Sequence, residues 1–404
     1  MPTFEEARTI IINSVLPSGI EQVGLLDAVG RVLAEDIIAP YDLPQSNNSA
    51  MDGYAVQATD CQPGSRLQVT GFIQAGGDIP LEVFSGTAIK IMTGARIPAG
   101  CDAVIPVEEV TDEGEYILCN SAVMPDDHIR FKGEDVTTGE LVIASSTLLR
   151  PAEIGILASF GKATVPVYLR PRIAILSSGD ELLELGMPPA EGKIINSNSY
   201  SLAAAVKEAG AIPVLMGIAR DVRESLEAKI REGLKFDALI TSAGVSAGDL
   251  DLVREVLQKF DVQQLFWKVA IKPGGPFAFG MRGNTPVFSL PGNPVSTMIT
   301  FEELVRPALL KMMGRTRVIK SRVPAVLAED VKKTLGKVSF LRCRIEKTAD
   351  GYQASISGNQ KTSYIKTMVR ADGLALLPQD KDICRAGEVV MVNLVRNDIE
   401  MTEP

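Results

Sequence analysis

The chain has 404 residues, 46% hydrophobic and 23% charged, with a formal charge of −9. That length exceeds one ordinary core and predicts two to four domains of a soluble globular protein. The negative balance disfavours general nucleic-acid binding, which needs a basic face to displace counterions, and no apolar run approaches the ~20 residues of a membrane helix.

Met1-Pro2-Thr3-Phe4-Glu5-Glu6 lacks the basic and apolar regions of a signal peptide. Cys61, Cys101, Cys119, Cys343 and Cys384 are odd in number, widely spaced and without a Cys-x-x-Cys pair. They read as buried thiols of a cytoplasmic protein, not as a disulfide framework or zinc site. His128 is the only histidine, which weakens any Ser-His hydrolase or histidine-metal reading.

Phe4, Ala7, Ile10, Ile11 and Val15 recur at helical spacing and predict an amphipathic helix over 3–16. Leu25, Leu26, Ala28, Val29, Val32 and Leu33 predict a second helical piece before Pro40 and Pro44. A third helix is expected over 147–160, with Pro151 in its first turn and Gly161 at its end. These pieces would form a stalk carrying everything between about 45 and 140. That insertion has the turn density of a β domain, with Gly71, Gly76-Gly77, Gly86 and Gly94 separating short apolar runs.

From Arg172 to Gly314 the pattern is α/β. Ile173–Leu176, Pro213–Ile218, Ala238–Ile240 and Val287–Leu290 read as strands, and Phe266–Lys272 as a further one. Helices are expected through Ala203–Glu208 behind an Asn196–Ser199 cap, over 223–235, and over 294–313. Together they predict a layered, parallel sheet. From about 318, Leu341, Cys343 and Ile345 alternate with Arg342, Arg344 and Glu346, a half-buried strand signature. A small C-terminal β-barrel or sandwich follows from this and the runs 323–326, 353–356, 374–377 and 389–394.

Six carboxylates fall at loop ends: Asp52, Asp135, Glu181, Asp221, Asp249 and Asp251. Asp180, Glu181, Asp249 and Asp251 taken singly are also good helix caps. Ser177-Ser178-Gly179, Ser242-Ala243-Gly244 and Pro291-Gly292-Asn293-Pro294 offer backbone amides and small hydroxyls that suit a phosphate. A helix N-terminus favours an anion by roughly 0.3–1 kcal/mol. A carboxylate about 4 Å from a phosphate oxygen repels it by about 4 kcal/mol at an effective dielectric near 20. Repulsion wins, so acidic loops beside a phosphate require a divalent cation. Oxygen-only ligands point to Mg²⁺. Lys268 and Lys272, four apart on one expected strand, would add charge from a common face. Neither a Walker loop nor a dinucleotide fingerprint is present.

Several stretches, in order, resemble the molybdopterin molybdenumtransferase family, which includes the E domain of gephyrin. They are Asn48–Ala55, Ile91–Ala95, Lys132–Asp135, Ser178–Leu182, Gly244–Asp249, Lys272–Gly274 and Leu290–Ser296. The resemblance spans nearly the whole chain. It implies a helical stalk and dimerisation domain (1–44 and 140–170), an inserted β-rich domain (45–139), a three-layer α/β molybdopterin-binding domain with a parallel-rich sheet (171–316) and a C-terminal β-barrel (317–404).

The same resemblance implies a homodimer that takes adenylylated molybdopterin from an upstream molybdopterin adenylyltransferase. Molybdenum from molybdate would be inserted in a Mg²⁺-dependent step, releasing AMP. Substrate contacts would come from Ser178, Gly179, Asp180, Ser242, Gly244, Ser246, Lys268, Lys272, Pro291, Gly292, Asn293 and Pro294. Glu181, Asp221, Asp249 and Asp251 would surround the metal, and Lys272, Arg342, Thr362 and Ser363 the molybdate. Catalytic positions would be Asp52, Thr93 and Asp135, closing from the other subunit, with Glu181, Asp221 and Asp251. Gly275 stands where many members carry a second lysine, Ala243 replaces a usual glycine, Ser178 a usual threonine, and Asn196 a common acidic residue. Two other readings are a scaffold that keeps the fold but binds a partner peptide, and a nucleotide pyrophosphatase sharing only the α/β domain.

Overall fold

A computed structural model describes residues 1–77, 81–243 and 250–396, with only the backbone of Leu250 and Asp251. Gly244, Ser246 and Asp249 lie outside the described residues. The chain separates into two compact units: 1–34, 146–149 and 164–404 form one, 35–145 and 150–163 the other. Among the described residues no helix is long and apolar enough to cross a membrane.

The first unit begins with the helix Phe4–Ser14, set by a Thr3–Glu6 capping box and burying Phe4, Ala7 and Ile11. The expected second helix is not formed. Leu26–Ala28 is one 3₁₀ turn, and Ile20–Gly24 is a strand paired antiparallel with Thr164–Tyr168. Gly30, at φ +74°, ends the turn before any helix can propagate.

The centre of this unit is a six-stranded sheet in the order Ile212–Ala219, Arg172–Ser178, Ala238–Ser242, Thr285–Leu290, Ala278–Arg282, Gln263–Phe266. The first four strands are parallel; the last two pair antiparallel, so the sheet is mixed. Ile173 and Ile175 face one core, Ala174 and Leu176 the other, as expected of a strand covered on both sides. The chain is helical over 294–312, ending one residue short of the expected 313, and contains a π-helical segment, Phe301–Val305, between Pro294–Thr300 and Arg306–Met312. Pro307 lacks the amide hydrogen that would reach the carbonyl of residue 303, and the widened turn lies directly before it.

The expected strand Phe266–Lys272 splits. Gln263–Phe266 ends the α/β sheet, whereas Ile271–Lys272 pairs in parallel with Val338–Thr348 of the C-terminal region. Lys268 is exposed on the connecting segment. Lys268 and Lys272 therefore do not share a strand face. Arg322–Leu327, Val338–Thr348, Gly351–Ile356, Gly373–Leu377 and Val389–Leu394 close into a five-stranded barrel, because Val338–Thr348 pairs with both Gly351–Ile356 and Gly373–Leu377.

The second unit holds another six-stranded sheet, in the order Ala103–Pro106, Gly53–Val56, Thr87–Ile91, Arg66–Ile73, Tyr116–Cys119, Val110–Asp112. Every residue of Gly53–Val56 is buried. Tyr54 and Val56 pack into one core and Ala55 into another. Its helix Pro151–Ser159 has Pro151 in the first turn.

Candidate active site

Three loops at the carboxyl ends of parallel strands meet around a cavity of about 350 Å³ in the first unit. Its wall includes Ser177, Glu181, Asn196, Asn198, Ser242, Ala243, Gly292, Asn293 and Pro294. This is the position at which open α/β sheets bind ligands, because loop amides and helix N-termini converge there. Of the sequence-derived substrate residues, Ser242, Gly292, Asn293 and Pro294 line it; Ser178 ends the strand Arg172–Ser178, and Gly179 and Asp180 lie on the loop that carries Glu181.

A buried polar network braces the floor. Ser177 Oγ donates to Asn196 Oδ1 at 3.0 Å and lies 2.8 Å from Ser199 Oγ. Asn196 caps the helix Ser197–Glu208 by accepting from the Ser199 amide at 3.2 Å. Asn198 Nδ2 donates to Ser242 Oγ (3.0 Å) and to the Gly292 carbonyl (2.7 Å), tying the three loops together. From the sequence, Asn196 and Asn198 were expected at a helix cap, with Asn196 also standing where the family resemblance expects an acidic residue. Their bridging roles depend on residues 19 to 94 positions away in the chain.

Glu181 folds back over Gly179. Gly179 has φ +146°, a backbone conformation side chains rarely adopt, and a Cβ there would lie 2.4–2.7 Å from the Glu181 carboxylate, which would have to move aside. Asp180 and Asp221 are cross-tied: the Asp180 amide donates to Asp221 Oδ2 (3.1 Å) and the Asp221 amide to Asp180 Oδ1 (3.3 Å). Lys193 Nζ donates to the Asp180 carbonyl at 2.7 Å. Asp251 sits in the first turn of the helix Leu250–Lys259.

Ala243 adopts φ +75°, the left-handed region that costs a non-glycine residue roughly 1–2 kcal/mol. Ala243→Gly is expected to stabilise the first unit by about 0.5–1 kcal/mol, after allowing for the added freedom of glycine in the unfolded chain. A higher denaturant midpoint at unchanged slope checks this, and a lower one refutes it.

A second cavity, of about 310 Å³, lies between Lys272–Pro273 and the barrel, lined also by Lys332, Lys333, Ser339, Lys361 and Thr362. Lys272 Nζ donates to Thr334 Oγ1 at 2.9 Å. The molybdate set read from the sequence divides here. Lys272 and Thr362 line this cavity, whereas Ser363 borders a neighbouring depression with Tyr364 and Arg370. Arg342, 1% exposed, is spent on the wall: its guanidinium donates to Gln360 Oε1 (3.1 Å) and to the carbonyls of Lys361 (3.2 Å) and Asn359 (3.4 Å). Burial lowers its pKa to about 10, still charged at neutral pH. The lysines 332, 333 and 361 were not singled out from sequence; isolated surface lysines carry no signal until the barrel gathers them.

In the second unit Asp52 Oδ1 accepts from both the amide and the hydroxyl of Thr93, each at 2.7 Å. The amide first, then the hydroxyl, holds the Asp52 carboxyl below its ordinary value. Stability from this contact is present above the unfolded carboxyl pKa near ~3.9 and lost as pH falls through the lower folded value. Thr93→Val is expected to move the Asp52 titration upward in a carboxyl ¹³C experiment; an unmoved titration would refute the hydroxyl's part. Asp135 is exposed beyond the strand Ile129–Arg130, which pairs with Asn48–Ser49, and its amide donates to the Leu43 carbonyl at 3.1 Å.

Comparison with known proteins decides what this arrangement belongs to. Residues 2–161 match the MoeA N-terminal region (domain I and II), 174–311 a probable molybdopterin binding domain, and 324–395 the MoeA C-terminal region (domain IV). The molybdopterin molybdenumtransferase of Haemophilus influenzae is 36% identical over 397 residues, covering 97% of this chain and 98% of that protein. The chain belongs to the molybdopterin molybdenumtransferase family. Molybdopterin molybdenumtransferase 2 of Mycobacterium tuberculosis is likewise 36% identical over 404 residues, 97% of this chain and 99% of that one. The crystal structure of the molybdopterin biosynthesis moeA protein from Pyrococcus horikoshii OT3 superposes with a TM-score of 0.84 at 32% identity, covering 98% of this chain and all of that one. The family expected from the ordered motifs is therefore the family found, and it accounts for α/β, inserted β and barrel regions together.

Proposed function

We infer that this chain inserts molybdenum from molybdate into adenylylated molybdopterin, with release of AMP. The observation that carries the reading is the match to enzymes of that name along essentially their full length and this chain's. The cavity chemistry supports it: the Ser177 and Ser242 hydroxyls and the 291–294 turn suit a phosphorylated ligand, with Glu181 in the wall calling for a cation beside it.

Mg²⁺ dependence is part of this proposal. Among the described residues, no three His, Cys, Asp or Glu side chains form a ready-made metal cage. Mg²⁺ does not need one, since it keeps several waters and binds through one or two carboxylates plus substrate phosphate. Glu181 in the cavity wall and Asp221 on the neighbouring strand end fit that donor set, with Asp249 and Asp251 as sequence-derived candidates. When bound, the ion would neutralise charge on the substrate's phosphoanhydride. The chain's own loops orient that anhydride through Ser242 and the 291–294 turn. The lysine-lined cavity beside Lys272 and Thr362 is proposed to receive molybdate, a dianion, as substrate.

We also propose a cytoplasmic homodimer in which Asp52, Thr93 and Asp135 of one protomer complete the site of the other. Purified chain with Mg²⁺, molybdate and adenylylated molybdopterin is expected to release AMP, and omission of either ion to stop it. Absence of AMP with both present would refute the transferase reading. Mixed dimers of Asp52→Ala and Glu181→Gln chains are expected to show activity well above either parent; no such gain would refute site sharing.

A further inference from the structure

Outside this site, the inserted unit holds two sulfurs that the transfer reaction does not use. Cys61 follows the 3₁₀ turn Ala58–Asp60, and Cys119 ends the strand Tyr116–Cys119. They are 58 positions apart, yet their Sγ atoms lie 3.3 Å from each other. Both are buried, Cys61 at 0% and Cys119 at 1% exposure, in the core shared with Tyr54, Leu67 and Ile117. The surrounding backbone is already fastened. The Gly64 amide donates to the Cys119 carbonyl at 2.8 Å and the Cys119 amide to the Ser65 carbonyl at 2.9 Å.

We propose that Cys61 and Cys119 form an oxidisable dithiol that hydrogen peroxide closes to a disulfide, a reversible staple across the inserted β unit. To form an S–S bond of ~2.05 Å the sulfurs must close from 3.3 Å. The pair is also chemically asymmetric. The Cys61 thiol donates to the Cys119 sulfur, which pushes the Cys61 pKa up and holds that of Cys119 down. The other cysteines all have their thiols pushed up, Cys101 to about 11 and Cys343 to about 12, chiefly by burial. Cys119 is therefore the sulfur best disposed to ionise and attack.

The steps balance. Cys119 loses its proton, and the thiolate attacks one oxygen of hydrogen peroxide; an S–O bond forms, the O–O bond breaks, and the departing hydroxide takes up that proton as water, giving a sulfenic acid. The Cys61 sulfur then attacks the Cys119 sulfur, the S–S bond forms as S–O breaks, and a second water leaves. Two thiols are oxidised and one peroxide is reduced to two waters. A dithiol reductant reverses the change by exchange. Both sulfurs are buried, so the oxidant must be small. The resulting loop encloses the strands Arg66–Ile73, Thr87–Ile91 and Ala103–Pro106 and removes freedom from their unfolded ensemble.

The test is peroxide titration of the full chain, followed by thiol counting after denaturation and by intact and peptide mass. The five free thiols are expected to fall by two, with loss of two hydrogens, a Cys61–Cys119 linked peptide and full reversal by dithiothreitol. The inserted unit's thermal midpoint should rise by roughly 5 °C or more. Cys119→Ala should slow loss of the Cys61 thiol on the order of tenfold. Retention of five thiols, a gain of oxygen in place of loss of hydrogen, or a linked peptide containing another cysteine would overturn the proposal. Because the wild-type chain carries the main readout, misfolding of the alanine variant would not protect the idea.

Discussion

Glu181→Gln is expected to slow AMP release from adenylylated molybdopterin roughly 100-fold and to raise the Mg²⁺ concentration needed for half-maximal rate. The substitution keeps size and hydrogen bonding but removes the negative charge from the cavity wall. The fold should be untouched, because Glu181 is an exposed loop residue and no core cluster depends on it. Gly179→Ala tests the same position from behind: its new Cβ would displace the carboxylate and reproduce part of the loss with the charge still present. Steady-state rates at several Mg²⁺ concentrations distinguish the outcomes. Wild-type turnover and wild-type Mg²⁺ response in Glu181→Gln would remove Glu181 from the metal and substrate machinery.

Arg342→Ala carries the largest expected stability effect, about 3 kcal/mol, seen as about a hundredfold loss of amide-exchange protection in the barrel strands. Three acceptors, the side chain of Gln360 and the carbonyls of Asn359 and Lys361, lose their donor at once. The space left by a fully buried guanidinium adds a packing loss. Arg342→Lys should recover little, because a single ammonium cannot replace a planar fork that reaches three carbonyl-type oxygens. The loop it fastens also presents Lys361 and Thr362 to the second cavity, so molybdate affinity should fall in both variants. Unchanged exchange protection in Arg342→Ala would show that the loop holds itself.

Arg342 also marks a limit of pattern reading. Alternation over 341–346 placed it with Arg344 and Glu346 on a solvated face, and the latter two are exposed. Arg342 is buried because the chain at 358–361 folds across that end of the strand and supplies oxygens to its guanidinium. No local periodicity encodes a loop arriving from 17–19 residues downstream. Lys268 and Lys272 failed for a related reason. An apolar run looks the same whether one strand continues or two short strands join different sheets, and only the partners of Phe266 and Ile271 separate the cases. The stretch 25–33 had helical spacing, yet Gly24 precedes it, Gly30 at φ +74° interrupts it, and the conformation settled into a turn.

What the sequence determined by itself was local and periodic: the amphipathic first helix, the apolar strands of the α/β sheet, the turn-rich insertion and the small-residue loops that end those strands. Through the order of its motifs it also determined family. Burial of side chains at period 2 or 3.6 leaves a trace in composition at each position, so these features survive without coordinates. Tertiary structure alone decided which loops share a cavity, that Asn198 bridges Ser242 and Gly292, that Arg342 braces a wall, and that Cys61 meets Cys119. Those contacts join residues far apart in the chain, where hydrogen-bond partners are chosen by the packed fold and not by neighbouring sequence.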